Sequence, residues 1–216
     1  MKKIYLIFLV AFVLSCSDEP TEKVPVSDKR SIGVQINNEM IGGLIYTDPN
    51  GKQFAYRSFR PRIINDTTIP IELTINFNND SISLLPKSNR YLRVFLLPDT
   101  MTPDKQFGLQ ASNGVLVQPL NSILNTNLNK ATKLEVTIPP RTDRYLNIGT
   151  LFNPTEGVTR AGLFVNGQNH SIELVPIKSL KTDVKNSNEL SLVFGIGITE
   201  PHNYALIPCG RITFNK

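Results

Sequence analysis

Apolar and polar residues alternate with period two over several short stretches of the chain. From Ile71 to Phe77 (Ile-Glu-Leu-Thr-Ile-Asn-Phe) every odd position is apolar and every even one polar. That pattern puts one face of an extended strand in a core and the other in water. Leu134-Glu-Val-Thr-Ile138 repeats it until Pro139-Pro140 stops it, and Ile172-Glu-Leu174, Leu190–Phe194 and Ile212-Thr-Phe214 follow it too. Tyr91–Leu97 is more continuously apolar, which predicts a central strand buried on both sides or a sheet crossing. Ile32–Ile36, Gly43–Tyr46, Gln53–Phe59, Arg62–Ile64, Tyr145–Leu151 and Arg160–Val165 are further strand candidates.

The connections carry turn chemistry. Asp48-Pro-Asn-Gly51 and Val165-Asn-Gly-Gln168 predict hairpin turns in which Asn-Gly supplies the positive φ values of a type I′ turn. Asn78–Asp80 and Lys185–Asn188 are looser. About a dozen short strands punctuated by Pro, Asn and Gly predict an all-β fold, an antiparallel β-sandwich of immunoglobulin-like or jelly-roll-like type. Arg62-Ile-Ile-Asn-Asp-Thr-Thr-Ile-Pro-Ile-Glu-Leu73 resembles the early strands of bacterial immunoglobulin-like domains, and Lys133–Pro140 resembles a later one. The body from Ser31 is longer than one such unit, so one sandwich and two packed sandwiches both stay open.

Residues 99–130 break the pattern and form a long irregular insertion, with Pro119–Asn125 predicting a helical turn or short helix. Its apolar residues, including Phe107, Leu109, Val115, Val117 and Leu120, either cap one end of the sandwich or form a docking surface. Any break between two sandwiches would fall here.

The N-terminus reads as an export signal. Lys2 and Lys3 precede an uncharged apolar run from Ile4 to Leu14, too short for a permanent span, which needs about 20 residues. Val13-Leu14-Ser15-Cys16 resembles a bacterial lipobox. The resemblance implies cleavage after residue 15, a diacylglyceryl thioether on the Cys16 thiol and acylation of the new amine. Several acyl chains anchor a protein stably at about 0.8 kcal/mol per buried CH₂, where a single chain does not. The competing reading is an ordinary signal peptide with an incidental Cys. Ser17-Asp18-Glu19 resembles the acidic surface-export signal of Bacteroidota lipoproteins, and implies an outer-membrane protein facing the cell surface, with the periplasmic face as the alternative. Residues 16–30 are polar, with two prolines, and read as a tether. Asp66-Thr67-Thr68, Asp80-Ser81-Ile82 and Asp99-Thr100-Met101 resemble the O-glycosylation sequon of the same bacterial group, marking Thr67, Ser81 and Thr100. Turn-forming residues at strand ends would read the same way.

Charge changes little. The chain has 23 Lys plus Arg against 18 Asp plus Glu, and removing the signal leaves a formal +3, too mild to imply a polyanion. Nucleic acid is therefore not an expected partner. Arg57, Arg60 and Arg62 cluster, as do Arg141 and Arg144 beside Tyr145. They read as solvated strand-edge residues or as contacts for an anionic glycan, a lipid phosphate or an acidic patch.

Catalytic chemistry is not legible. His170, His202 and Cys209 lack the paired spacing of zinc ligands, and no G-x-S-x-G elbow, P-loop or EF-hand loop occurs. Cys209, in an apolar stretch near a turn, reads as a buried, inert thiol. Gly195-Ile-Gly197 signals a bulge or close backbone approach. Glu72, Glu135 and Glu173 fall on polar alternation positions and Asp48, Asp80 and Asp104 in turns, as solvated carboxylates do. No enzyme activity, cofactor or metal is expected. The leading expectation is a lipid-anchored accessory or structural subunit of an outer-membrane protein complex. The alternative is a glycan-binding surface lipoprotein of a nutrient-uptake system, against which the absence of Trp counts.

Overall fold

The computed structural model describes residues 33–83, 91–107, 118–127, 130–152, 159–166, 188–198 and 203–214, all within the compact unit Ser31–Lys216. In chain order the elements are β1 (Val34–Asn37), β2 (Met40–Thr47), β3 (Gln53–Phe59), β4 (Arg62–Asn65), β5 (Ile71–Phe77), β6 (Ile82–Ser83) and β7 (Tyr91–Leu96). Then come α1 (Pro103–Phe107), α2 (Gln118–Asn127), β8 (Thr132–Ile138), β9 (Thr142–Tyr145), β10 (Ile148–Phe152), β11 (Thr159–Val165), β12 (Glu189–Ile198) and β13 (Asn203–Phe214). They form three sheets in the orders β1-β4-β9, β2-β3-β10-β7-β6 and β11-β12-β13-β5-β8, with every pairing antiparallel. The fold is all-β and sandwich-like. Ile172–Leu174, Gly167-Gln168, His170, His202 and Lys185–Ser187 lie outside the described residues.

The two five-stranded sheets enclose one core. Ile71, Leu73, Ile75 and Phe77 enter it from β5, while Glu72, Thr74 and Asn76 stay on the other face. Ile212 and Phe214 pair beside Leu73 and Ile71 and extend that apolar face onto β13. Phe194 of β12 lies edge-on to both Phe59 of β3 and Phe77 of β5, with ring centroids 5.9 Å apart in each pair. Strand β7 is apolar at every position but Arg93 because it serves two layers. Leu92 and Val94 face the sandwich core, and Phe95, with Leu97 just beyond the strand, enters a second cluster on the opposite face.

That second cluster explains the insertion. Helices α1 and α2 lie on the outer face of the β2–β6 sheet and bury Tyr46, Tyr56, Phe95, Met101, Leu120, Leu124 and Leu151 with it. Pro119–Asn125 falls inside α2, whose Leu120, Ile123 and Leu124 share one helix face. Helix α1 went unrecognised in the sequence, although Pro103 is well suited to a first helical turn and Lys105 and Gln106 N–H groups both donate to the Thr102 carbonyl. Two tyrosines fasten the layer. The Tyr56 hydroxyl donates to Gln106 Oε1 at 2.8 Å, Gln106 Nε2 donates to the Met101 carbonyl, and the Tyr46 hydroxyl donates to Asn125 Oδ1 at 2.6 Å. The described part of the insertion thus covers a sheet face.

The three-stranded sheet continues the β2–β6 sheet around a corner. Strands β1, β4 and β9 run on directly into β2, β3 and β10, in the same lateral order. Arg60 N–H donates to the Glu39 carbonyl and Leu146 N–H to the Pro61 carbonyl, which carries the ladder through the bend. Pro61 has no N–H to lose there. The Tyr145–Leu151 stretch is accordingly two strands with a bend at Leu146-Asn147.

Two local expectations are corrected. In the Asp48–Gly51 turn only Gly51 has positive φ, at 81°, and its N–H donates to the Asp48 carbonyl. This is a type I turn over Pro49-Asn50 followed by a left-handed glycine, and not type I′, because the proline sets the first central residue. Cys209 does not sit near a turn either. It is the extra residue of a β-bulge, since Leu192 pairs with Gly210 and Val193 with Pro208. The bulge switches which parity of β13 faces inward, so Cys209 and Ile207 join the core with Ile212 and Phe214.

Candidate functional site

A cavity of about 520 Å³ opens where the helical layer ends on the β2–β6 sheet. Leu151 and Phe54 help floor it, and Tyr91 and Arg93 reach it from β7. The β2–β3 turn forms one wall and Asn125 near the end of α2 another. Its polar groups are held in place. Asp48 Oδ1 accepts from the Asn50 and Lys52 N–H groups at 2.9 and 2.8 Å, an Asx arrangement that closes the turn. Asn125 is fixed through its oxygen by Tyr46, whose phenol is pushed above its ordinary pKa by burial and by the nearby Asp48 charge. Lys52 Nζ sits 5.1 Å from the Phe54 ring centroid. Tyr91 is 46% exposed.

The sheet edges form a second candidate surface. Strand β11 is capped, because Asn38 Nδ2 donates to the Leu163 carbonyl at 3.0 Å and Asn38 Oδ1 accepts from the Leu163 N–H at 2.8 Å. One side-chain amide replaces a neighbouring strand. Strand β8 carries the exposed Lys133–Glu135 pair, β9 carries Asp143 and Arg144, and β1 and β6 have only four and two residues. All of these devices discourage edge pairing. Strand β2 differs: its eight residues, Met-Ile-Gly-Gly-Leu-Ile-Tyr-Thr, hold no charge, and Met40 and Ile45 are each 55% exposed.

The two basic clusters meet at Tyr145. Arg62 pairs with Tyr145 across β4 and β9, and the Arg60 and Arg62 guanidinium carbons lie 4.2 and 5.6 Å from its ring centroid. Arg62 Nε donates to Asp143 at 2.6 Å, which raises the guanidinium pKa further, and Arg144 pairs with Asp99. Arg57 donates to the Tyr56 carbonyl. Arg62, Arg144 and Arg57 are thus engaged by groups of the chain itself, which fits solvated strand residues better than an open anion site. Burial pushes the Cys209 thiol up to about 12, so it is not a nucleophile near neutrality.

The docking surface placed on Phe107 and Leu120 needs correction. Leu120 is fully buried, and the Phe107 ring packs against Tyr56 with centroids 6.1 Å apart, so the helical layer has used both. Leu109, Val115 and Val117 lie outside the described residues, as do residues 1–15, Cys16, Ser17, Asp18, Glu19 and the tether. The Thr67 hydroxyl is occupied in the β4–β5 turn, within hydrogen-bonding distance of Asn65 Oδ1 and the Ile69 carbonyl. Ser81 and Thr100 are exposed, and Ser81 lines the cavity. Sequence reasoning missed the cavity because Asp48, Tyr91 and Asn125 come from three distant segments. The β2 edge was legible in principle, as a run from Met40 to Thr47 without one charge. Among the described residues no three His, Cys, Asp or Glu side chains group as metal ligands, and no helix is long and apolar enough to cross a membrane. No family model matches the chain, and no curated protein or solved structure matches it.

Proposed function

We propose that this chain is a lipid-anchored lipoprotein of the outer membrane, held by acylated Cys16 and facing the cell surface, and that it acts as a non-enzymatic accessory subunit of an outer-membrane protein complex. The observation that carries the reading is the β2 edge. Eight uncharged residues with two exposed apolar side chains border the sheet, while the other edges are short, charged or capped by Asn38. A long apolar edge is a hazard for a freely diffusing protein and a template for adding a strand from a partner. Glu39 and Asp48 flank it, so two copies pairing antiparallel would bring their acidic ends together. A partner strand with an uncharged centre and basic ends fits the edge better. The anchor supports the reading too, because it would confine the chain beside membrane partners and raise its effective concentration there.

The test is purification of the tagged chain from native membranes in mild detergent, with mass spectrometry of the co-purifying proteins, for wild type and for Ile45→Lys. The expected result is one outer-membrane protein at near-equal amount with wild type and its loss with Ile45→Lys. Recovery of the wild-type chain alone would overturn the proposal.

A further inference from the structure

We infer that the cavity between the β2–β3 turn, β7 and α2 is a binding site for a neutral saccharide, an activity separate from docking through β2. Its volume, about 520 Å³, falls within the range of roughly 300–1,000 Å³ usual for small-ligand sites. A sugar ring presents a C–H face and an equator of hydroxyls that both donate and accept. The cavity offers the complement of each. Tyr91, nearly half exposed at its margin, supplies aromatic surface for the C–H face, while Phe54 in the lining is already stacked on Tyr46 and lies under Lys52. Around them stand an acceptor and a donor that the fold has already oriented. With one Asp48 oxygen committed to the turn, its other oxygen is left to accept. With the Asn125 oxygen committed to Tyr46, its amide nitrogen is left to donate. Such preorganisation reduces the entropy lost on binding.

The charges narrow the ligand class. Asp48 and Lys52 put one charge of each sign in the lining, whereas Arg93, also in the lining, is already engaged by the Lys130 carbonyl. A phosphate or other anion would meet the carboxylate, a cation would meet the Lys52 ammonium, and an apolar ligand would strip water from both without replacing their hydrogen bonds. Polyhydroxyl ligands satisfy both signs at once. The cavity is open to solvent on one side, which leaves room for a longer chain whose terminal units occupy it.

The experiment is calorimetric titration of the full chain, in a detergent without a sugar headgroup, with a panel of cellotriose, maltotriose, mannotriose and lactose. At least one of these is expected to bind. Tyr91→Ala should weaken that binding by about tenfold or more, whereas Tyr91→Phe should retain most of it. The unfolding midpoint of both variants should match wild type, since the Tyr91 side chain is largely outside the core. The inference is overturned if no member of the panel binds, if Tyr91→Ala binds as wild type does, or if only inorganic phosphate or a phosphorylated sugar binds. None of these outcomes depends on whether a protein partner occupies β2.

Discussion

Asn65 is the side chain on which two turns and two sheets depend, and its replacement gives the sharpest stability test. It is fully buried. Its Nδ2 lies within donating distance of the carbonyls of Ile69, Ile138 and Pro139, at 2.9, 3.0 and 3.1 Å. Its Oδ1 accepts from the Thr67 N–H at 3.1 Å and faces the Thr67 hydroxyl at 2.6 Å. The β4–β5 turn is thereby stitched to the end of β8. Asn65→Ala removes about four hydrogen bonds' worth of pairing, since two amide protons are shared among three carbonyls. Each is worth roughly 0.5–1.5 kcal/mol net, and a buried group left unsatisfied costs about 1–3 kcal/mol. Water can reach several of the partners, while the Ile138 bond is buried. The expected loss is therefore about 3 kcal/mol, or a fall of about 6–12 °C in Tm for a domain of this size. Guanidinium unfolding followed by far-UV circular dichroism measures it, since the chain has no Trp to report fluorescence. Thr67→Val, which deletes only the hydroxyl at the outer part of the network, should cost about 1 kcal/mol. A loss below about 0.5 kcal/mol for Asn65→Ala, within the range of ordinary surface substitutions, would refute the reasoning.

Other consequences are equally open to measurement. Asn38→Ala uncaps Leu163 at the β11 edge and should raise the aggregation rate seen by light scattering, and an unchanged rate would show that the edge needs no cap. Tyr56→Phe leaves the buried Gln106 without its tyrosine partner and should cost about 1–3 kcal/mol in the same unfolding assay. Burial raises the Cys209 thiol from an ordinary 9.0 to about 12, so its contribution is fully present below pH 9 and is lost as pH rises toward 12. That loss amounts to roughly 4 kcal/mol, and Cys209→Ala should flatten the decline of stability over this window. Tyr46 and Tyr56, also raised by burial, keep a residual slope of the same sign in the variant. Identical slopes with and without the thiol would contradict the assignment.

Local pattern foretold the elements whose environment is simple. Strand β5 has one wet face and one dry face, and its alternation reads directly into the register that pairs Leu73 with Val136 and Ile212. The Tyr91–Leu97 stretch, more continuously apolar than the alternating strands, announced a strand between two apolar layers, and that is where β7 runs. Bends were harder. Arg60-Pro61 reads as a break between strands, and it is one in hydrogen bonding, yet β3 and β4 are successive halves of one path around a corner. The Cys209 bulge changes the inward parity of β13 without a turn signal, so Leu206–Gly210 looked like something other than a strand. Helix α1 is too short for a 3.6-residue period to emerge, and its burial depends on Tyr56, about fifty residues away. The cavity is less legible still, because its aromatic surface, turn carboxylate and helix amide are assembled only by tertiary packing. Edge protection belongs to the same class. Asn38 reveals nothing in sequence, and it gains its role only because β11 arrives beside it.

The most direct test of the functional account is a photo-crosslinking amino acid placed at Ile45 and, separately, at Glu135, in the full chain expressed in its native cells. Both positions are exposed edge residues, but only the first lies on the uncharged strand. The account predicts a crosslink from position 45 to an extended segment of one outer-membrane protein, and none from position 135. Equal crosslinking from both positions, or none from position 45, would contradict docking through β2.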